Sequence, residues 1–522
     1  MAVRSDTDPP AATQTSTAPP RGAPPVPVLL GIATLILHVA TNHGYNFFRD
    51  EFYYIACGRH LAWGYVDQPP LVAVLADFAR AFGPSLGGLR FLPGLAGAIT
   101  VMLAGWMARD LGGGVFAQAL AALCVMIAPV YLEGFTLFTM NAFDFMLWTV
   151  LCWLLIRLLR GAPDRTWLVF GVIAGIGLLN KTSVLFLIGG VFLGLLATSQ
   201  RRQLARLWPW LAAVIAFALF APHLIWQVQN HWPTLEFMHN AQVEKNVHVG
   251  LVSFFAGQVL IHHPLVAPVW LTGLFALLFA KRLADLRAIG VAYLCIFALF
   301  VLTGAKLYYL SPIYPVLLAT GALVIEGATA GQWARLFRAP VLVLLLAGGA
   351  ALAPAVLPVL PPDKLETYLH ALQLTPPLME HHRAPRLTQT FADEFGWEEM
   401  VKQVAAAYHA LPDSDQARCA IYAHNYGEAG AIDFYGPRYG LPHAASGHNN
   451  YWLWGPPKDR GALVITVGES EEDVAKTYRS VTVVDRTRNE WCMPYENDVP
   501  IILGRVPKDR FADIWPRCKI LI

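Results

Sequence analysis

Long apolar runs follow one another from about residue 26 to about residue 360, and they constrain this chain more than any motif in it. In lipid every backbone N–H and C=O has to be paired within its own segment, which leaves the α-helix as the form such a run can take. Eleven runs of helical length fall at 26–42, 89–109, 113–131, 139–159, 166–180, 182–199, 207–228, 250–280, 288–304, 308–327 and 339–359. The run 250–280 is too long for one straight helix and contains His262-His263-Pro264, so a kinked span or a re-entrant piece plus a span is expected there. Of the 522 residues, 56% are hydrophobic and 14% charged, which excludes an ordinary soluble domain. A net charge of +2, with Lys and Arg scattered over loops, excludes a nucleic-acid surface. The expected fold class is a polytopic α-helical membrane protein of about 11–13 transmembrane helices with a C-terminal soluble α/β domain.

Three regions follow from the shifts in composition. Residues 1–25, rich in Pro, Ala, Thr and Ser, read as a disordered cytoplasmic leader, and the apolar run after them as an uncleaved first span. Residues 26–360 form the membrane part, with a loop at 43–88. Residues 361–522 return to soluble composition, with a helix near 393–410, strands near 418–423, 462–467, 481–485 and 499–504, and a short helix capped by Ser470. Basic residues cluster at alternate ends of the spans: Arg109; Arg157, Arg160 and Arg165; Arg201, Arg202 and Arg206; Lys281, Arg282 and Arg287; Arg335 and Arg338. With those clusters cytoplasmic, the 43–88 loop and the tail face outward. Of the seven Cys, Cys124, Cys152 and Cys295 sit in apolar runs as small hydrophobes, while Cys419, Cys492 and Cys518 leave room for one disulfide in an outward tail.

The first loop carries the most specific signal. Arg49-Asp50-Glu51-Phe52-Tyr53-Tyr54 is followed by Asp67-Gln68-Pro69-Pro70-Leu71, and adjacent carboxylates at a bilayer edge are costly unless chemistry needs them. Phe52, Tyr53, Ile55, Ala56, Leu61 and Trp63 in one piece, and Leu71, Val72, Val74, Leu75, Phe78 and Phe82 in another, predict two amphipathic helices lying in the interface.

These motifs resemble the polyprenyl-phosphate-dependent glycosyltransferases of the GT-C superfamily, the group that includes protein O-mannosyltransferases and the bacterial transferases that add aminoarabinose to lipid A. The likeness extends through Thr139-Met140-Asn141-Ala142-Phe143-Asp144 to Trp148, Leu179-Asn180-Lys181-Thr182, Pro222-His223-Leu224-Ile225-Trp226 with Trp232-Pro233, His263-Pro264-Leu265, and Lys306-Leu307-Tyr308-Tyr309-Leu310 with Pro312 and Pro315. It covers roughly residues 40–325. Two positions depart from the pattern: Gln68 stands where aminoarabinose transferases have Lys before Pro-Pro-Leu, and Asn141 where many members have an acid, with Asp144 one helical turn further on.

The resemblance implies an enzyme that moves a sugar from an undecaprenyl- or decaprenyl-phosphate type of donor to a lipid or cell-envelope glycan, with inversion, at the outer face of a bacterial cytoplasmic membrane. Such transfer needs a base for the acceptor hydroxyl and groups that hold the leaving phosphate. Asp50 is the expected base, contributing on the order of 10²–10⁴-fold, and Glu51 its catalytic neighbour, which organises the site or binds an acceptor group. The same resemblance implies substrate contacts for Arg49, Tyr53, Tyr54, Asp67, Gln68, Asn141, Asp144, Lys181, His263, Lys306, Tyr308 and Tyr309. Lys181, between two apolar runs, reads equally as a phosphate contact or a snorkelling anchor, and Lys306 with its tyrosines as a phosphate site or an interfacial belt. His262 and His263, about 100° apart on a helix, are poorly placed to chelate one metal. No cofactor is required, although a divalent cation such as Mg²⁺ or Mn²⁺ bridging Asp50 or Asp67 to phosphate suits hard oxygen ligands. The tail loops Asn425-Tyr426-Gly427-Glu428 and Ser446 to Gly455 read either as sugar contacts or as packing onto the membrane part. A protein hydroxyl as acceptor is the alternative within the class. A lipid transporter or flippase would want matched halves with broken spans and acids at mid-depth, and a carrier-binding scaffold would leave Asp50 without a task.

Overall fold

A computed structural model describes residues 25–522 except 82, 84, 246–249, 375–383 and 459, so the expected leader lies outside the described residues apart from Pro25. Six single helices among them are long and apolar enough to cross a membrane: Leu86–Asp110, Met140–Leu159, Leu207–Gln229, Lys281–Thr303, Leu307–Ala328 and Gln332–Ala355. Three more spans are bent pairs, Val115–Ile127 with Pro129–Thr136, Val184–Leu196 with Ser199–Ala205, and Leu251–Ile261 with Pro264–Phe279. With the shorter apolar helices Val26–Thr41 and Thr166–Asn180, every expected apolar run is a helix or a bent pair. This is a multi-pass membrane protein. The bend after Ile261 is 95°, and it falls on the histidine pair: His263 takes a left-handed φ of 74° and Pro264 starts the next helix.

The spans pack through small residues. Gly273 and Gly321 face each other on neighbouring helices so closely that a Cβ on either would collide with the other helix's backbone. Close backbone approach of this kind is how helices associate where lipid is as apolar as the side chains.

The tail contains one five-stranded sheet, β1 (Cys419–Ala423), β2 (Ala444–Ser446), β3 (Leu463–Val467), β4 (Tyr478–Arg486) and β5 (Pro500–Pro507), in the order β2-β1-β3-β5-β4. The β1 strand runs parallel to β2 and β3, and β5 runs antiparallel to β3 and β4. Fully buried β1 and β3 read as continuous apolar runs, as strands covered on both faces must. The expected helices form at Trp397–His409 and Glu471–Thr477, the latter with Ser470 Oγ accepting from the Asp473 amide at 3.1 Å. Strand β2 was not anticipated, because three residues are too few to show alternation. All seven cysteines are free, so the tail is held by its core and not by a disulfide.

One expectation about the first loop is corrected. The helix Arg49–Arg59 does not lie on the interface: Glu51, Phe52, Tyr53, Tyr54, Ala56, Cys57 and Gly58 are buried, because the tail helix Tyr426–Tyr435 covers it. The second helix, Leu71–Arg80, keeps an apolar edge open at Val74 and Phe78. Glycines permit the covering contact. A Cβ on Gly430 would stand 2.8 Å from Phe52 Cβ and 3.1 Å from the Phe52 backbone carbon, and one on Gly427 would press on the Arg49 stem. Gly430→Ala is therefore expected to destabilise tail docking by about 1–3 kcal/mol, the usual cost of overpacking, read as earlier protease cleavage of the tail in detergent or nanodiscs. Cleavage at the wild-type rate would contradict this packing.

Candidate active site

The first-loop helix begins at Arg49 with Asp50 and Glu51 in its first turn, where acidic groups complement the helix dipole. Glu51 reaches back so that its Oε2 accepts the Phe48 amide at 2.8 Å, half of a capping box. From there the two adjacent acids diverge completely.

Glu51 is fully buried, and both its oxygens are saturated. Arg90 donates Nε to Oε1 at 2.8 Å and Nη2 to Oε2 at 2.9 Å, and the Phe138 amide donates to Oε1 at 2.8 Å. Arg90, also without exposure, donates Nη1 to the Asn42 carbonyl at 2.8 Å and Nη2 to Glu394 of the tail at 3.0 Å. The three side chains lock the start of the first loop, the Leu86–Asp110 span, the entry to Met140–Leu159 and the tail. In this position Glu51 organises the site and has no free oxygen for a substrate. Burial, followed by the charge of Glu51 against the opposing pull of Arg90, pushes the Glu394 carboxyl up to about 8.

Asp50 points the other way, with 29% of its side chain exposed. Its Oδ1 accepts from the Tyr426 hydroxyl at 2.8 Å, and Arg49 Nε stands 3.8 Å away. Among the described residues nothing hydrogen-bonds its Oδ2. Asp67 is beside it across Tyr54, whose hydroxyl is held well above the usual tyrosine range by burial and then by the negative charge of Asp50 and Asp67, with Tyr426 and Tyr308 adding. The Tyr53 hydroxyl donates to Asp67 Oδ1 at 2.9 Å. On the other flank, Lys181 leaves the end of the Thr166–Asn180 helix, donates to Asn141 Oδ1 at 2.7 Å, and lies 4.5 Å above the Tyr309 ring and 5.5 Å above Tyr308. Asn141 is presented by a Thr139 cap that accepts its amide at 3.2 Å. The hydrogen bond and the ring contacts of this ammonium are thus all to neutral groups.

Asp50, Tyr53, Tyr54, Asp67, Asn141, Lys181, Tyr308 and Tyr309 are therefore brought into one neighbourhood, with Lys306 opening the short helix that carries the two tyrosines. Other expected residues are placed elsewhere. Asp144, buried, takes both its hydrogen bonds from Ser183 Oγ at 2.7 and 2.8 Å, one turn deeper than Asn141. Gln68 is buried with Nε2 on Cys57 Sγ at 3.7 Å, so it does not replace the missing lysine. His263 is buried at the bent span, its Nδ1 accepting from the Leu265 amide at 3.1 Å beside Gly348. Arg49 is spent on the tail, donating to the Tyr495 hydroxyl at 2.7 Å, lying over Tyr426 and standing 3.8 Å from Asp393. No group of three His, Cys, Asp or Glu side chains able to hold a metal ion occurs among the described residues.

Arg90 and Glu394 were not singled out from the sequence, whereas Tyr426 and Asn450 lie in the two tail loops read there as sugar contacts or packing, with no partner named for either. A signal existed for the first: one arginine inside an apolar run asks for a buried partner. For Tyr426 the signal was the Asn425-x-x-Glu428 capping box, whose Asn425 Oδ1 accepts from Gly427 and Glu428 amides and so starts a helix at Tyr426.

Comparison with known proteins defines the class. A family model described as dolichyl-phosphate-mannose-protein mannosyltransferase matches residues 67–226. The fold is similar to that of ArnT from Cupriavidus metallidurans bound to undecaprenyl phosphate, at TM-score 0.61 and 15% identity over 92% of this chain and 98% of that one. The same protein in the apo state gives 0.60 and 15% over 92% and 97%. No curated protein matches in sequence. The chain has the GT-C membrane fold.

The raised Glu394 carboxyl has a consequence for stability. The packed protein binds its proton more tightly than the loosened chain does, so packing is unpenalised below the ordinary carboxylate range near 4.5, weakens as pH rises, and carries the full penalty above about 8. The thermal midpoint of the wild type should fall between pH 6 and 9, whereas Glu394→Gln, which mimics the protonated group, should flatten that slope; equal slopes in both proteins would refute the assignment.

Proposed function

We infer that the protein is a glycosyltransferase that moves a sugar from a polyprenyl-phosphate donor to a hydroxyl of a lipid or cell-envelope glycan, with Asp50 as general base. One observation carries the reading: of two adjacent acids, Glu51 is saturated inside the fold while Asp50 presents a free Oδ2 beside a lysine–tyrosine–asparagine cluster. The acceptor hydroxyl gives its proton to Asp50 as its oxygen bonds to the anomeric carbon, and the bond from that carbon to the phosphate oxygen breaks with its electron pair leaving on the phosphate. Lys181, with Tyr308 and Tyr309 under it, supplies the cation for that leaving charge, and Lys306 stands at the entrance to the same segment. Asp67, held by the Tyr53 hydroxyl, is assigned to the sugar. The undecaprenyl phosphate named for the ArnT structure of like fold supports a carrier of this class. The basic clusters on the opposite ends of the spans support a cavity and tail outside the cytoplasmic membrane of a bacterium.

The family description speaks of protein mannosylation and favours a protein hydroxyl as the second reading of the acceptor. Mass spectrometry of glycolipids, envelope glycans and secreted proteins from cells with and without the chain separates the two.

The test of the base uses the protein reconstituted in liposomes with a panel of undecaprenyl phosphates bearing mannose, glucose, galactose, arabinofuranose or aminoarabinose, and membrane extract as acceptor. Asp50→Asn should lower transfer on the order of 10²–10⁴-fold while binding of undecaprenyl phosphate persists; transfer at the wild-type rate would remove Asp50 from the mechanism. The reaction needs no metal in this reading, so EDTA should leave the rate unchanged. A loss reversed by Mg²⁺ or Mn²⁺ would instead put a cation between Asp50 or Asp67 and the phosphate.

A further inference from the structure

We propose that the tail supplies a positioning pair, Tyr426 and Asn450, that fixes the two first-loop carboxylates, so that the catalytic cavity is incomplete until the tail is docked. The inference rests on the reading of Asp50 as the base.

Asp50 has no partner of its own chain segment that could fix its orientation: Arg49 Nε is 3.8 Å away and Arg49 Nη1 belongs to Tyr495. A carboxylate with 29% exposure would otherwise turn freely with water. The Tyr426 hydroxyl takes Oδ1 at 2.8 Å, which leaves Oδ2 as the oxygen available to an acceptor hydroxyl. Tyr426 is itself held on several sides. Its ring lies 4.8 Å from that of Tyr53 and 4.8 Å from that of His448, the Arg49 guanidinium sits 5.4 Å from its centroid, and the Asn425 cap fixes the turn that carries it.

Asn450 does the corresponding work for Asp67. Its Oδ1 accepts the Val66 amide at 2.7 Å, immediately before Asp67, and its backbone N–H donates at 3.3 Å to the Tyr53 hydroxyl, which in turn donates to Asp67 Oδ1 at 2.9 Å. Asn450 is buried, in a short helix that starts after the strained Asn449, φ 46° and ψ −128°. Two helix starts of the tail thus reach Asp50 directly and Asp67 through Val66 and Tyr53. Misplacing a reacting group by about 1 Å can cost on the order of 10²-fold, which sets the scale of what such contacts control.

The experiment uses the liposome assay with whichever undecaprenyl-phosphate sugar the wild type consumes. Tyr426→Phe should lower kcat on the order of 10–100-fold with the donor KM within about twofold, since it changes the alignment of the base and not the phosphate site. Asn450→Ala should act in the same direction. Added to Asp50→Asn, Tyr426→Phe should cost nothing more, because the group it positions is gone. Undecaprenyl phosphate binding and the protease resistance of the tail, both at wild-type levels, report that the cavity and the docking survive. A wild-type kcat in Tyr426→Phe, or a loss that adds in full to that of Asp50→Asn, overturns the positioning role while leaving the base reading intact. Undiminished transfer by Asp50→Asn, or a wild type that consumes none of the donors, overturns the base reading and this inference with it.

Discussion

The arrangement of this protein turns on one buried hydrogen-bonded triad, Glu51–Arg90–Glu394. A guanidinium with no exposed surface is tolerable only because carboxylates and carbonyls from four separate segments converge on it. Those segments are the Val26–Thr41 exit at Asn42, the connection at Asn46, the first-loop helix and the tail, and Arg90 ties them to its own Leu86–Asp110 span. Each would be free to shift relative to the others without that cation, and the position of Asp50 is a by-product of where Glu51 is pinned.

This gives the Asp-Glu pair a division of labour that follows from helix geometry. Successive residues on a helix point about 100° apart, so when Glu51 turns into the bundle, Asp50 must turn toward the tail face. Burial then acts in opposite ways on the two acids: it commits one to the fold, and partial exposure keeps the other available. The tail is accordingly more than a cap on the membrane part, since its helix Tyr426–Tyr435 covers the first-loop helix and touches the exposed acid.

What could be read from the sequence divides along the same physical line. Apolar runs announce spans because lipid leaves no other solution, and even the break at His262-His263-Pro264 was legible from length and a proline. The first-loop acids were conspicuous for their cost at a bilayer edge. Long-range partners were not legible: nothing near Arg90 names Glu394, and nothing near Asp50 names Tyr426, because both pairings depend on how the tail folds back. Gln68 and His263 illustrate the converse error, in which a polar residue beside a motif is taken to face the cavity while the fold uses it to satisfy local packing. The interfacial reading of the first-loop helix failed for a related reason, since amphipathicity reports that a face is covered and not by what.

The span of chain between those partners has a bearing on how the protein comes into being. Arg90 and Glu394 are 304 positions apart, and Asp50 and Tyr426 are 376 apart, so the ribosome delivers the first loop long before the groups that settle it. Contacts of such high sequence separation form late, after the loop-closure entropy between them has been overcome. The loop is thus inserted early yet matures last, and a nascent chain that has already threaded all its spans still lacks the tail partners of Arg90 and Asp50.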